Sequence, residues 1–226
     1  MRRKLQPQQD TAADADKGFG LFVTRVHELL QAGYATMKPV AYNTCEEPEI
    51  SGELADRIET FLEGRSKPWM RYWTAMDNAP ENQPHLPLAK RRMGKRRKLP
   101  DLKFKYSGQR ETLYFRFEAK KLKDTGSFKD LISSEDGLGR FISRQYGRKD
   151  VAGGLLGYVQ LETPEIHASR VANAFAENPK LYRIEPYGGW TMVKWPNGPA
   201  CCFRTIHTRK YTSQTITIFH SFLSFR

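Results

Sequence analysis

The stretch PDLKFKYSGQRETLYFRFEAKKL, residues 100–122, decides how this chain is read. From Thr112 to Lys120 the residues alternate strictly: Leu113, Phe115, Phe117 and Ala119 are apolar, while Thr112, Tyr114, Arg116, Glu118 and Lys120 are polar or amphipathic. A period of two is the signature of a half-buried strand. Glu118 and Lys120 therefore share a face, about 6.6 Å apart along the strand. The segment before it alternates as well, with Leu102, Phe104 and Tyr106 on one side and Asp101, Lys103 and Lys105 on the other. Ser107 to Arg110 supplies the turn, with Gly108 best suited to positive φ.

Parity constrains the register, because residues directly opposite in a hairpin share a face. A two-residue turn at Gly108-Gln109 sets Asp101 opposite Arg116 and diagonal to Glu118, and one at Gln109-Arg110 sets it opposite Glu118. Asp101, Glu118 and Lys120 converge in both cases. Two carboxylates held together at a strand pair repel unless a proton or a cation sits between them. A hard divalent cation answers that, and magnesium accepts one or two carboxylates with its other positions left to water and phosphate.

An acid followed across a hairpin by E-x-K, here Pro100-Asp101 and Glu118-Ala119-Lys120, resembles the PD-(D/E)XK nuclease superfamily, also called restriction-endonuclease-like. The resemblance covers about Asp101 to Leu161. It implies metal ligation by Asp101, Glu118 and the backbone carbonyl of Ala119, with Lys120 orienting or activating the attacking water. It implies magnesium as cofactor, replaceable by manganese, and often a further glutamate from a helix ahead of the hairpin. Glu53, Glu59 and Glu63 are the candidates, Glu59 first because it flanks an apolar stripe. The fold expected is α/β (α+β), a restriction-endonuclease-like mixed β-sheet flanked by helices on both faces, with additional C-terminal strands. The competing reading is a basic nucleic-acid-binding protein without catalysis, its E-x-K an ordinary soluble strand surface.

The 226 residues carry 37 Lys and Arg against 25 Asp and Glu, a net charge of +12, which favours a polyanionic partner. DNA is expected ahead of RNA. The sequence shows neither an apolar run of membrane-spanning length nor a charged-then-apolar leader, so a cytoplasmic protein without membrane association is expected. Cys45, Cys201 and Cys202 form neither a zinc spacing nor an even disulfide framework, which suits a reducing compartment. Phosphate-loop, GxSxG, HExxH and dinucleotide GxGxxG motifs are missing, which disfavours motors and dehydrogenases.

Residues 1–17 are polar and lack an apolar period, so a disordered tail is expected, followed by one domain over 18–226 with its catalytic core near 100–161. Gly20 to Ala32 carries Phe22, Val26, Leu29 and Leu30 at helical spacing, with Gly33 as the C-terminal cap. Ser51 opens a second helix, with Leu54, Ile58, Phe61 and Leu62 on one face and Gly64 at its end. Trp69, Tyr72 and Trp73 read first as core and only second as a base-stacking platform.

Lys90 to Lys98, KRRMGKRRK, holds seven cations in nine residues and ends just before Asp101. Lys95, Arg96, Arg97 and Lys98 are accordingly candidate phosphate contacts at the metal. Ser133-Ser134-Glu135-Asp136 starts a helix running to Tyr146, with Arg140 and Arg144 one turn apart on it; the resemblance, in which the helix after E-x-K often contacts substrate, implies these two as candidate nucleic-acid ligands.

Val151 to Leu161 is short, apolar and glycine-punctuated, which suits a strand buried on both faces beside the hairpin. A helix from Thr163-Pro164 to Asn178-Pro179 follows, then strands near Trp190 to Trp195, Cys201 to Arg209 and Thr215 to Phe222. His207-x-Arg209 followed by His220 in a final strand resembles small nucleases of bacterial defence loci, with His220 read first as a structural histidine. A domain of this size without a motor is expected to act as a homo-oligomer or as a subunit of a larger anti-phage or restriction assembly.

Overall fold

The computed structural model describes residues 12–77, 99–108 and 112–226. The chain is a mixed α/β protein. Helix α1 (Ala12–Thr36) and helix α2 (Glu47–Glu63) precede strands β1 (Trp73–Asp77), β2 (Leu102–Tyr106) and β3 (Leu113–Leu122). Two short helices, α3 (Phe128–Leu131) and α4 (Leu138–Ile142), lead to β4 (Ala152–Val159), α5 (Pro164–Glu177), β5 (Thr191–Met192), β6 (Cys202–Thr208) and β7 (Thr215–Ser224).

The strands form one sheet in the order β1-β2-β3-β4-β7-β6-β5. β1, β2 and β3 are antiparallel neighbours, β3, β4 and β7 run parallel, and β6 and β5 return antiparallel. Leu102 pairs with Phe117, Phe104 with Phe115 and Tyr106 with Leu113, and continuing this register sets Asp101 opposite Glu118. Of the two turns considered, this register corresponds to Gln109-Arg110, whose residues lie outside those described.

Helices cover both faces. On one, α1 and α2 bury Val26, Leu29, Leu54 and Ile58 against Phe115, Phe117, Ala119 and Leu156. On the other, Leu138, Phe141, Val171 and Phe175 pack on Leu122, Leu155, Val159 and Ile218. Strand β4 is buried at every position, as a parallel strand between two helical layers must be. Its glycines make room for rings: a Cβ on Gly154 would stand 2.1 Å from Phe117 Cδ1.

Three helices differ in their bounds from the sequence reading. Helix α1 already includes residues 12–17, which the reading put in a tail, and it runs through Gly33 to Thr36. Gly33 is not a cap; a Cβ there would lie 2.5 Å from Ile58 Cγ1, so the glycine sets the close crossing of α1 and α2. Helix α2 starts at Glu47, one turn before Ser51, with Pro48 in its first turn and the Glu49 carboxylate accepting the Glu46 N–H at 2.8 Å. The helix expected from Ser133 to Tyr146 is only the five-residue α4, because Gly137 sits at its start with φ 45° and Arg144 turns left-handed with φ 65°. Arg140 and Arg144 therefore do not share a helix face.

Trp73 is in the core, stacked on Phe22 with centroids 5.2 Å apart, and Arg25 lies 4.5 Å over the Trp69 ring. Core packing accounts for Trp73 and, in part, for Trp69, whereas Tyr72 is half exposed and departs from the core expectation. Among the described residues, no helix is long and apolar enough to cross a membrane.

Candidate active site

The three residues picked from the hairpin meet where β2 begins and β3 nears its end. The β2–β3 ladder stops at Leu102, close to Pro100, which has no N–H to donate. There the Asp101 carboxylate takes over and accepts the Ala119 N–H at 2.7 Å. What Ala119 is observed to supply is thus an anchor for Asp101. Glu118, wholly buried, puts Oε1 3.1 Å from Lys120 Nζ.

A fourth residue completes the group. Glu47, in the first turn of α2, accepts the backbone N–H of Lys121 at 3.0 Å through Oε1 and faces Lys120 Nζ at 3.3 Å through Oε2. The residues Glu46-Glu47-Pro48-Glu49 signal this position, because proline in a first turn marks the helix start one turn earlier than Ser51. Glu59 lies elsewhere, its carboxylate accepting the Ala75 N–H in β1. It is therefore replaced by Glu47 as the helix-borne carboxylate of this group.

Arg140 points inward, which departs from the expectation of an outward phosphate ligand. Its Nη1 meets Glu118 Oε2 at 2.6 Å, and Nε and Nη2 reach Asp136 Oδ1 at 3.1 and 2.7 Å. The Tyr146 hydroxyl is 2.9 Å from the same Glu118 oxygen. Arg144 instead donates to the Arg148 carbonyl at 3.4 Å. Lys95, Arg96, Arg97 and Lys98 lie outside the described residues.

Electrostatics follow from this crowding. Burial, and after it the Glu118 carboxylate, push the Asp101 carboxyl up to about 7. Burial works against the Lys120 ammonium, but Glu118, Glu47 and Asp101 outweigh it and hold its pKa above the ordinary lysine value. Lys120 is a fixed cation at neutral pH. If Arg140 is set against Asp136, three carboxyl groups face one ammonium, an excess of two negative charges when all are ionised.

A divalent cation fits the group in charge. Glu118 Oε1 is buried, and its neighbour is the Lys120 ammonium at 3.1 Å. Glu118 Oε1 and Asp101 would hold such an ion, with the remaining positions left to water and phosphate oxygens. Among the described residues, no three His, Cys, Asp or Glu side chains are gathered so as to hold a metal by themselves.

The C-terminal histidines form a separate, closed cluster. Thr205 Oγ1 lies 2.6 Å from His207 Nε2 and 2.7 Å from His220 Nε2, and His207 Nδ1 lies 2.8 Å from the Tyr182 carbonyl. All three side chains are fully buried. Arg209, also buried, donates to the carbonyls of Phe141 at 3.2 Å and Gly147 at 2.9 Å. These residues tie β6 to β7 and to the segment after α4.

No protein-family model matches the chain, and neither a curated protein nor a solved structure is significantly similar to it.

Proposed function

We propose that this chain is a magnesium-dependent nuclease of the restriction-endonuclease-like type, hydrolysing phosphodiester bonds in nucleic acid, with DNA ahead of RNA. One observation carries the reading: Asp101, Glu118 and Lys120, picked from the hairpin alone, come together, with Lys120 Nζ 3.1 Å from the buried Oε1 of Glu118 and Asp101 coupled to both charges. The meander β1-β2-β3 followed by the parallel strand β4 is consistent with that fold.

A magnesium ion held by Asp101 and Glu118 would polarise a phosphoryl oxygen and acidify a bound water. The chain's own groups do the rest. Lys120, kept protonated by three carboxylates, is suited to orienting that water and steadying negative charge on the phosphate, not to taking a proton. Glu47 fixes the ammonium from the far side and holds the backbone of Lys121. The net charge of +12 favours a polyanionic substrate. On size alone, the domain would serve as a homo-oligomer or as the effector of an anti-phage or restriction assembly.

A second reading, nucleic-acid binding without catalysis, draws on the Arg140 contact, which already compensates one oxygen of Glu118, and on the lack of a three-residue metal group among the described residues. The two diverge in one assay. Plasmid and single-stranded substrates are incubated with Mg2+, Mn2+ or chelator, comparing wild type with Glu118→Ala and Lys120→Ala. Metal-dependent cutting lost in both variants supports the nuclease, whereas binding without cutting in all three supports the binder.

A further inference from the structure

Arg140 was expected as a nucleic-acid ligand and Tyr146 as the end of its helix, yet both reach one atom. Glu118 Oε2 receives Arg140 Nη1 at 2.6 Å and lies 2.9 Å from the Tyr146 hydroxyl, while Oε1 of the same carboxylate faces the Lys120 ammonium at 3.1 Å. Arg140 is the charged donor on Oε2; the single Tyr146 hydroxyl proton lies between Oε2 and the Leu99 carbonyl.

Both partners are themselves pinned. Each of the three guanidinium nitrogens of Arg140 donates: Nη1 to Glu118 and to the Tyr146 oxygen at 2.6 Å, Nε and Nη2 to Asp136. Tyr146 is fully buried, edge-on to Phe141 at 5.5 Å. Arg209 grips the Phe141 and Gly147 carbonyls on either side of it. The Tyr146 hydroxyl also lies 2.5 Å from the Leu99 carbonyl, two residues before Asp101. One side chain thus touches Glu118 and the segment that carries Asp101.

We propose that Arg140 and Tyr146 are positioning residues that present Glu118 to a cation through Oε1 alone. This rests on the metal reading above and adds a selectivity to it. A carboxylate with one oxygen held by a guanidinium binds a metal ion through the other in monodentate fashion, which suits the small octahedral Mg2+ and Mn2+. Ca2+, with six to eight oxygen ligands, readily uses both oxygens of a carboxylate. Locking Oε2 withholds that mode.

Calorimetric titration of the full chain with Mn2+ and with Ca2+ tests this without reference to activity. Wild type binds Mn2+ more tightly than Ca2+. Tyr146→Phe keeps the ring and loses the hydroxyl; it weakens Mn2+ binding by about tenfold, as loss of a partner behind a metal ligand commonly does, and narrows the gap to Ca2+. Arg140→Lys, which keeps the charge but not the fork, moves both quantities in the same direction, and circular dichroism establishes that each variant is folded. Folded variants with wild-type Mn2+ affinity and wild-type Mn2+ to Ca2+ ratio overturn the proposal. Wild type that binds neither ion removes the metal reading itself, a result distinct from variants that bind as wild type does.

Discussion

Arg140 Nη1 and Glu118 Oε2 are 2.6 Å apart, a guanidinium from the short helix α4 against a carboxylate with no exposed surface in the central region of the sheet. Neither charge could be buried there alone. Removing one partner from such a pair leaves the other uncompensated, whereas replacing both with neutral groups is far milder.

Arg140→Ala is therefore expected to cost about 3–5 kcal/mol of stability in denaturant unfolding, the range for a buried pair broken from one side. Glu118→Gln in the same background should restore most of that loss. A double variant whose loss equals the sum of the two single losses would show that the residues are not coupled, and the description of the pair would be wrong.

Asp101 sets a second expectation, in metal-free protein. Burial and then Glu118 raise its carboxyl from 3.8 to about 7, so the folded chain holds this proton more tightly than the unfolded chain does. Its contribution to stability is complete below about pH 4 and is lost as pH rises toward 7. In chelator, wild type should lose melting temperature relative to Asp101→Asn between pH 5 and pH 8. Parallel curves for the two proteins would contradict the assignment.

The buried histidines act in the opposite sense. Burial lowers His27 and His207 to about 4 from the usual 6.5, only partly offset by backbone bonds to Val23 and Tyr182. Because the folded values lie below the unfolded one, this stability is present above pH 6.5 and is lost as pH falls from there toward 4. His207→Gln, which keeps a polar side chain at that position, should shrink the difference in unfolding midpoint between pH 7 and pH 5. No change in that difference would count against a neutral, buried His207.

How much of this was readable beforehand follows from how local each signal is. Alternation through Leu113, Phe115, Phe117 and Ala119, the apolar run of β4 and the Thr163-Pro164 start of α5 are each written in consecutive residues, and each became the expected element. The convergence of Asp101 with Glu118 needed only hairpin parity. Glu47 was missed because its role depends on where α2 lands against β3, a packing fact, although Pro48 did mark the helix start. Gly33 read as a stop because a glycine at a helix end and a glycine under a crossing helix look alike without the partner, Ile58. Arg140 read as surface because its buried partners, Glu118 and Tyr146, sit 22 residues before it and 6 residues after it. On a regular helix through Tyr146 that side chain has no reason to turn inward.

The pairing of Glu47 with Lys120 separates the helix-borne carboxylate found here from the one expected. Glu47→Gln keeps the size of the side chain and one carbonyl for the Lys121 N–H, but removes the charge facing Lys120 Nζ at 3.3 Å. Metal-dependent cutting should fall about 10- to 100-fold, in line with losses on removing groups that orient a metal-site residue, with little change in melting temperature. Glu59→Gln still offers a carbonyl to the Ala75 N–H and lies outside the group, so its cutting should match wild type. Loss of cutting in Glu59→Gln with full activity in Glu47→Gln would reverse the assignment. That outcome would return the first helix position of the site to the middle of α2.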